Sequence, residues 1–130
     1  MTQEDRQLLL KDLCARLPYH CRVFYEYVDD LDNKTYGYSL TLNTWCIDEL
    51  NADKAVVKPY LRPMSSMTEE EEKEICQFMK DYNLLPGPDK AGVFCGEITD
   101  WLNVHHFDYR GLIEKGLAIA VDENNNPYKK

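Results

Sequence analysis

Hydrophobic side chains near the start of the chain recur at helical spacing. Thr2 and Asp5 stand in the order of a capping box, in which each side chain accepts a hydrogen bond from the other residue's backbone N–H. Pro18 ends the pattern because proline cannot continue a helix. We therefore predict a helix near residues 3–17. Its hydrophobic stripe consists of Leu9, Leu10, Leu13 and Leu17.

The hydrophobic period changes to two after residue 20, and this is the spacing of a β-strand. One alternating run lies near residues 20–28 and another near 35–43, with a polar connection at 29–34. Two such runs joined by a short polar loop are typical of an antiparallel hairpin. The side chains predicted to face the core are Cys21, Val23, Tyr25, Tyr27, Tyr36, Tyr38, Leu40 and Leu42.

A third alternating run predicts a strand near residues 54–61. Because Pro59 has no backbone N–H, this strand is expected to lie at a sheet edge or to end there. The side chains that share one face of the strand are Ala55, Val57, Pro59 and Leu61.

Two further helices are predicted near residues 68–82 and 98–107. Thr68 precedes the acidic run Glu69–Glu72, and a capping hydroxyl followed by acids suits the positive end of a helix dipole. The segment 83–96 contains several prolines and glycines and is predicted to be a loop. The hydrophobic positions of the two helices are Ile75, Phe78, Met79, Tyr82, Ile98, Trp101, Leu102 and His105.

These elements predict a single α+β domain over residues 1–130, with a frayed tail at 122–130. A small antiparallel sheet of about three strands would be covered on one face by the three helices. The tyrosines of the hairpin are expected to pack against Leu13, Leu17, Phe78 and Trp101.

The net charge of −8 changes the range of partners to expect. A negative chain repels phosphate, so neither duplex DNA nor an anionic membrane is an expected partner. The helix near 98–107 contains Asp100 and no lysine or arginine, unlike a DNA-recognition helix. Residues 1–65 carry a net charge of −2 and residues 66–130 a net charge of −6. The expected partner is a protein, and an anion-binding surface would lie in the N-terminal half.

The five cysteines are an odd number, and no two have the C-x-x-C spacing. This argues against a disulfide framework and a zinc ribbon, so no metal and no other cofactor is predicted. Most of the cysteines have apolar neighbours and are expected to be small buried hydrophobes. The first residues lack the basic and apolar regions of a signal peptide, and no apolar run could span a membrane. The expected location is the reducing cytoplasm.

Two segments have a distinctive sequence, KPYLRPMSSMTEEE at Lys58–Glu71 and HFDYRGLIEKGLA at His106–Ala118. Together with DLCARLPY at Asp12–Tyr19, they resemble a group of short uncharacterised proteins encoded by gut anaerobic bacteria, often in prophage-like or mobile regions. The resemblance covers about a quarter of the chain. It implies a shared fold and a mobile-element context, and it assigns no catalytic residue.

A basic face is predicted on the third strand, where Lys58, Tyr60 and Arg62 share one side with Lys54. Cations around an aromatic ring could hold a phosphate or stack a single-stranded base. The alternative is structural, since lysine and proline also keep an exposed edge strand from pairing with other chains. The sequence favours the structural alternative, because charged solvent faces are the usual state of edge strands.

The segment Trp101–Arg110 combines the residue types of an acid–base or ligand site. His105 and His106 diverge by about 100° if both are helical, so they cannot easily grip one ion. His105 is expected to complete the hydrophobic stripe, and the polar residues after it are expected to anchor the turn through hydrogen bonds. The candidate binding residues of this segment are Trp101, His106, Asp108, Tyr109 and Arg110.

The chain has no Gly-rich phosphate loop, G-x-S-x-G or H-E-x-x-H motif, so no catalytic residue is predicted. The acidic run Glu69–Glu72 could imitate a phosphate backbone, but helix capping is sufficient to explain it. We expect a non-enzymatic protein-interaction or accessory factor of a bacterial mobile element or prophage. The alternatives are a small enzyme or ligand-binding domain using Trp101–Arg110, and single-stranded nucleic-acid binding through Lys58, Tyr60 and Arg62.

Overall fold

The first helix begins at the predicted cap. The computed structural model describes residues 1–81 and 96–128, with the backbone alone at 78–81 and 96–97. Helix α1 spans Gln3–Arg16, and the backbone N–H of Asp5 donates to the hydroxyl of Thr2 over 3.0 Å. The reciprocal bond from the N–H of Thr2 to the carboxylate of Asp5 completes the capping box. The predicted helix is confirmed.

The sheet contains the three predicted strands and one more. Strands β1 (Arg22–Val28), β2 (Thr35–Thr41) and β3 (Ala55–Leu61) agree with the hydrophobic pattern. The additional strand β4 (Ile119–Ala120) gives the order β2-β1-β3-β4. β1 pairs antiparallel with β2 and β3, whereas β3 and β4 are parallel. The sheet is therefore mixed, because the chain returns from β3 to β4 by a long crossover that contains helices. The α+β class is confirmed.

Pro59 lies where β3 changes partners. Residues 55–59 pair with β1, and residues 60–61 pair with β4. The carbonyl of Leu61 accepts from Val121 on the side away from β1. The backbone of Pro59, two residues earlier, points to the same side. On this side, away from β1, no described strand pairs with residues 55–59. The N–H that Pro59 lacks would therefore have formed no bond within the sheet. The predicted edge position thus holds for this part of β3 only.

Helix α2 (Thr44–Asn51) was not predicted. The Asn43 side chain caps it by accepting the backbone N–H of Cys46 over 3.0 Å. Cys46 and Leu50, four residues apart, are buried against the sheet. Eight residues form only about two turns, so the helical period is too short to identify from the sequence.

Helices α1 and α2 cover one face of the sheet. The main hydrophobic cluster lies between these helices and the sheet. The members of this cluster include Leu9, Leu13, Cys21, Val23, Tyr25, Leu42, Cys46, Leu50, Val57 and Leu61.

Helices α3 (Glu69–Asp81) and α4 (Gly96–Val104) form a second cluster around Phe107, separate from the hairpin. The hydroxyl of Thr68 accepts the backbone N–H of Glu71 over 3.2 Å, so the predicted helix start is confirmed. Leu13 and Leu17 pack with the hairpin tyrosines in the main cluster as predicted. Trp101 does not, because α3 and α4 pack mainly on each other. The sheet is thus covered by helices as predicted, but α3 and α4 contribute to a second hydrophobic cluster and not to the main one.

The residues near the C-terminus pack against the sheet. The Tyr128 hydroxyl accepts the backbone N–H of Arg22 over 2.9 Å and donates to the Tyr60 carbonyl over 2.8 Å. Arg22 and Tyr60 would form the next bonded pair of the β1–β3 register, so this hydroxyl bridges a position where a direct ladder bond would otherwise form. The sequence predicts a frayed tail at 122–130, but Tyr128 within that range is held against the sheet.

Two of the described cysteines are buried as expected, Cys21 and Cys46, whereas Cys14 and Cys76 are exposed. All four are free thiols. None of the described helices is long and apolar enough to cross a membrane. Several predicted features lie outside the described residues, namely most of the loop at 83–96, Cys95, Tyr82, and the side chains of Phe78 and Met79.

Candidate interaction surface

The basic face predicted on β3 is only partly accessible. Tyr60 is buried, and its hydroxyl lies 2.9 Å from the hydroxyl of Ser39 on β2. Lys58 is half-buried on the same face of the sheet. A ring that is packed and hydrogen-bonded in this way cannot stack a base without leaving its position. The structure thus brings Lys58 and Tyr60 together without forming an open stacking platform.

Arg62 belongs to an ion pair that joins β3 to α3. Its guanidinium donates to both carboxylate oxygens of Glu71, each over 2.7 Å, and to the Ser66 carbonyl over 3.2 Å. It also lies 4.2 Å from the centroid of the Phe107 ring. The hydrogen bonds from Arg62 lower the pKa of Glu71 to about 2, so the pair is charged at neutral pH. This cation is already neutralised inside the fold.

Trp101 and His105 connect α4 to α3. The Trp101 side chain is buried, and its Nε1–H donates to the carboxylate of Glu74 over 3.0 Å. The His105 ring packs on Trp101 with centroids 4.3 Å apart, as predicted for a member of the hydrophobic stripe. The Nδ1 atom of His105 lies 3.5 Å from Glu71. Both side chains are therefore used for packing between helices.

His106 has a left-handed backbone with φ of 62° and stacks on the ring of Tyr128. The two ring centroids lie 3.8 Å apart, at an interplanar angle of 8°. Burial, together with the nearby charge of Arg16, lowers the pKa of His106 to about 4. The imidazole is therefore neutral at neutral pH, and its position is set by stacking with the C-terminal residues.

Asp108 anchors the turn that follows α4. Its two carboxylate oxygens accept the backbone N–H groups of Leu112 and Ile113 over 2.9 and 3.0 Å. The anchoring role predicted for Asp108 is confirmed. Its carboxylate faces the backbone, and not Arg110 or His106.

Asp12 and Arg16 form a buried network with Arg110. Asp12 accepts from Nε of Arg16 over 2.7 Å and from Nη1 of Arg110 over 2.8 Å. Arg16 is fully buried and donates to the carbonyl of Phe107 over 2.6 Å. Burial opposes the charge of Arg16, but Asp12 outweighs it and raises the pKa of Arg16. The sequence contained a signal for this buried pair. Asp12 and Arg16 each follow a leucine of the hydrophobic stripe of α1 by three residues, and this spacing places them on the same face of the helix.

Tyr109 extends this network, because its hydroxyl donates to Asn103 and accepts from Arg110, each over 2.9 Å. Among the described residues, no three His, Cys, Asp or Glu side chains are grouped closely enough to hold a metal ion. The polar residues of Trp101–Arg110 thus meet different partners, and they join α1, α3, α4 and the C-terminal residues.

Five aromatic rings form a continuous row on the hairpin and the start of α2. The centroids of its neighbouring rings lie between 4.7 and 6.0 Å apart. Tyr25 is buried at the centre, while Tyr36, Tyr38 and Trp45 are 42%, 45% and 45% exposed. We call this row the aromatic surface, and its members are Tyr25, Tyr27, Tyr36, Tyr38 and Trp45.

The sequence places the four tyrosines of this row in the core, yet Tyr36 and Tyr38 are exposed. Strand periodicity shows which side chains share a face, but not how far the covering helices extend along it. The eight residues of α2 measure about 12 Å at helical rise. The seven residues of β1 or β2 measure about 23 Å. α2 therefore cannot cover the hairpin along its full length.

Acidic groups surround the aromatic surface. The Tyr25 hydroxyl lies 3.3 Å from Glu49, and burial together with this carboxylate raises the pKa of Tyr25 to about 12. The Tyr36 hydroxyl donates to Asp32, and this bond lowers the pKa of Asp32. Residues 22–53, which build the hairpin and α2, contain seven acidic and two basic side chains, a net charge of −5. This part of the N-terminal half is therefore not an anion-binding surface.

An open hollow of about 230 Å³ adjoins the aromatic surface. Tyr27 contributes to both, and Glu26, Asp53 and Lys54 supply charged groups to the lining of the hollow. The accessible surface at this end of the sheet thus extends from the exposed rings to a recess that is lined by both charged and apolar side chains.

Scans of protein-family models, curated proteins and solved structures found no match to this chain.

Proposed function

We propose that this chain is a non-enzymatic protein-interaction domain and that the aromatic surface contacts its partner. The observation that carries the proposal is the exposure of several neighbouring rings on one side of the hairpin. Six of the eight exposed large hydrophobic side chains among the described residues lie on the hairpin or beside it. These six are Val28, Leu31, Tyr36, Tyr38, Trp45 and Val56.

Tyrosine and tryptophan are enriched in binding hot spots, because each offers a large apolar area and a polar group. The buried ring of Tyr25 contacts the rings of Tyr38 and Trp45, at centroid distances of 5.5 and 4.7 Å. The exposed rings are thus positioned before a partner arrives, which reduces the conformational entropy lost on binding.

The charge around the aromatic surface supports a protein partner over a nucleic acid. Aromatic rings can stack bases, but nucleic-acid sites pair such rings with a positively charged groove. The net charge of −5 over residues 22–53 would repel phosphates. The ion pair of Arg62 with Glu71 removes one of the cations proposed for the β3 face.

The resemblance of three segments to proteins of mobile elements supports a finer proposal, that the domain is an accessory factor of a bacterial prophage or mobile element in the cytoplasm. The genes beside this one in its source genome test that context. Phage or transfer genes would agree with it, and an operon of metabolic enzymes would count against it.

The interaction function is tested with two variants, Tyr38→Ser and Trp45→Ser. The wild-type chain and both variants are immobilised, and proteins retained from a lysate of the source organism are quantified by mass spectrometry. We expect a partner retained by the wild type to fall at least about ten-fold with either variant, because loss of a hot-spot ring costs about 2 kcal/mol or more.

Val104→Ser is the matched control, since Val104 is an exposed hydrophobic residue on α4, away from the hairpin. It should retain the partner at the wild-type level. Circular dichroism and thermal unfolding of all variants establish that they are folded. Recovery of no protein above the bead background, or equal recovery with all variants, would overturn the proposal.

A further inference from the structure

Among the residues that the structure describes, strand β2 has a free edge along its whole length. It is the outer strand of the order β2-β1-β3-β4, and no described strand lies beside it. Leu42 donates its N–H to the Cys21 carbonyl, which shows that the even-numbered residues of β2 bond to β1. The N–H and C=O groups that point away from the sheet therefore belong to Thr35, Gly37, Ser39 and Thr41.

This edge lacks the usual features that prevent further pairing. Edge strands are commonly interrupted by charged residues, prolines or bulges. The sequence of β2 is TYGYSLT, which contains no charge and no proline, and its register with β1 is continuous over seven pairs. The open side of β3, in contrast, carries Pro59. β2 is therefore an available template for one more strand.

Aromatic rings border the β2 edge on both faces of the sheet. Tyr36 and Tyr38 lie on the face that carries the aromatic surface. On the opposite face the ring of Phe24 lies over Gly37, where an added Cβ would be 2.4 Å from its Cζ atom. The glycine thus allows a ring from β1 to reach the outer strand. Alternate side chains of an added strand would contact these rings on both faces.

The local charge selects the occupant. Residues 22–53 carry a net charge of −5, and the whole chain carries −8, so the net charge disfavours the association of two copies. A cationic segment would be attracted, and its lysine or arginine groups could also bind the faces of the exposed tyrosines. We propose that the β2 edge adds an extended, cationic peptide segment of a protein partner as a further strand of the sheet. This inference rests on the proposed interaction function and specifies its partner.

The first experiment selects random peptides of about nine residues, a typical strand length, displayed on phage against the full chain. The expected result is enrichment of sequences in which lysine or arginine alternates with β-branched or aromatic residues. Binding of the enriched peptide, measured by fluorescence anisotropy, should weaken as salt is raised, because the attraction is between exposed charges. Enrichment of acidic or proline-rich peptides would overturn the inference.

The second experiment compares Ser39→Pro with Ser39→Ala. Both variants lose the contact of the Ser39 hydroxyl with Tyr60, but only proline removes the outward N–H at the centre of the edge. We expect Ser39→Ala to bind the enriched peptide as the wild type does, and Ser39→Pro to bind it at least about ten-fold more weakly. Equal binding by the two folded variants would overturn the inference.

A third measurement uses the wild-type chain and does not depend on the folding of a variant. Amide hydrogen exchange is followed by NMR with and without the enriched peptide. The amides of Gly37, Ser39 and Thr41 should exchange more slowly in the complex, because their outward N–H groups would form hydrogen bonds with the added strand. Unchanged exchange at all three would contradict strand addition.

The results separate this inference from the proposed function. If the peptide loses binding with Tyr38→Ser and Trp45→Ser but not with Ser39→Pro, the aromatic surface is a binding site and strand addition is wrong. If none of these variants changes binding, both proposals fail. A dimer that dissociates in Ser39→Pro, detected by analytical ultracentrifugation, would assign the edge to a second copy and overturn the cationic partner.

Discussion

His106 shows how a single residue's environment determines its protonation. The left-handed backbone turns its ring onto Tyr128, where Nδ1 is buried without a hydrogen-bond partner among the described residues. A charged imidazole would lose hydration there and lie near the guanidinium groups of Arg16 and Arg62. The residue is consequently held in its neutral form, as a packing element.

The first prediction concerns pH and the variant His106→Asn, since asparagine tolerates a left-handed backbone. The folded pKa of about 4 lies below the ordinary value of 6.5, so the unfolded chain binds the proton first as pH falls. The stability that depends on neutral His106 is complete above pH 6.5 and is lost as pH falls toward 4.

Urea unfolding at several pH values checks this. The wild type should lose up to about 3 kcal/mol more unfolding free energy than His106→Asn between neutral pH and the folded pKa. The two stability curves should therefore converge in acid. Curves that stay parallel over this interval would show that His106 is not the group that titrates.

At the scale of elements, β1 and β3 are joined by a residue from outside the sheet. The ladder between them is direct up to the pair of Val23 and Pro59, and the Tyr128 hydroxyl occupies the next position. The same residue stacks on His106 after α4. The C-terminal residues thus connect the sheet to the turn that follows the last helix.

We expect the variant Tyr128→Phe to be less stable than the wild type. The variant keeps the stacked ring but leaves the Arg22 N–H and the Tyr60 carbonyl without their bridging hydroxyl. Unpartnered buried polar groups cost about 1–3 kcal/mol, and urea unfolding should show a loss of this size. Tyr36→Phe is the matched control, because the bond it removes, from the Tyr36 hydroxyl to Asp32, is exposed to solvent, and it should change stability by less than about 0.5 kcal/mol. Equal effects of the two variants would show that the bridge adds no stability.

At the scale of the whole molecule, a buried polar network connects the N-terminal helix to the C-terminal third of the chain. Asp12 holds Arg16 within α1 and Arg110 beyond α4, and Arg16 reaches the carbonyl of Phe107. Phe107 belongs to the second hydrophobic cluster, whereas Leu13, the residue after Asp12 in α1, belongs to the first. The network therefore links the two clusters.

We expect the variant Asp12→Ala to be much less stable than the wild type. The substitution leaves Arg16 buried without its carboxylate, and breaking a buried pair in this way costs about 3–5 kcal/mol. Because a domain has only about 5–15 kcal/mol of total stability, thermal unfolding should begin at a markedly lower temperature. Lys11→Ala, at an exposed position of the same helix, should leave the transition nearly unchanged. Similar transitions for the two variants would contradict a central role for Asp12.

Particular residues show how far the sequence predicts the fold and the site. The cap at Thr2, the alternation of the hairpin and the cap at Thr68 are local signals, and each predicted element is present. The candidate segment Trp101–Arg110 was chosen by residue type, but its polar groups bond within the fold. Its partners could not be identified, because Asp12 lies 98 positions from Arg110 in the chain.

The sequence by itself determined α1, α3, α4, the strands β1 to β3 and the faces that their side chains share, because periodicity and capping depend on neighbouring residues. Only the tertiary structure decided that β4 pairs parallel to β3, that Arg62 is neutralised by Glu71, and that the aromatic surface stays exposed. These features depend on contacts between residues far apart in the chain and on how far α2 extends over the hairpin. The surface proposed to bind a partner could therefore be identified only from the tertiary structure.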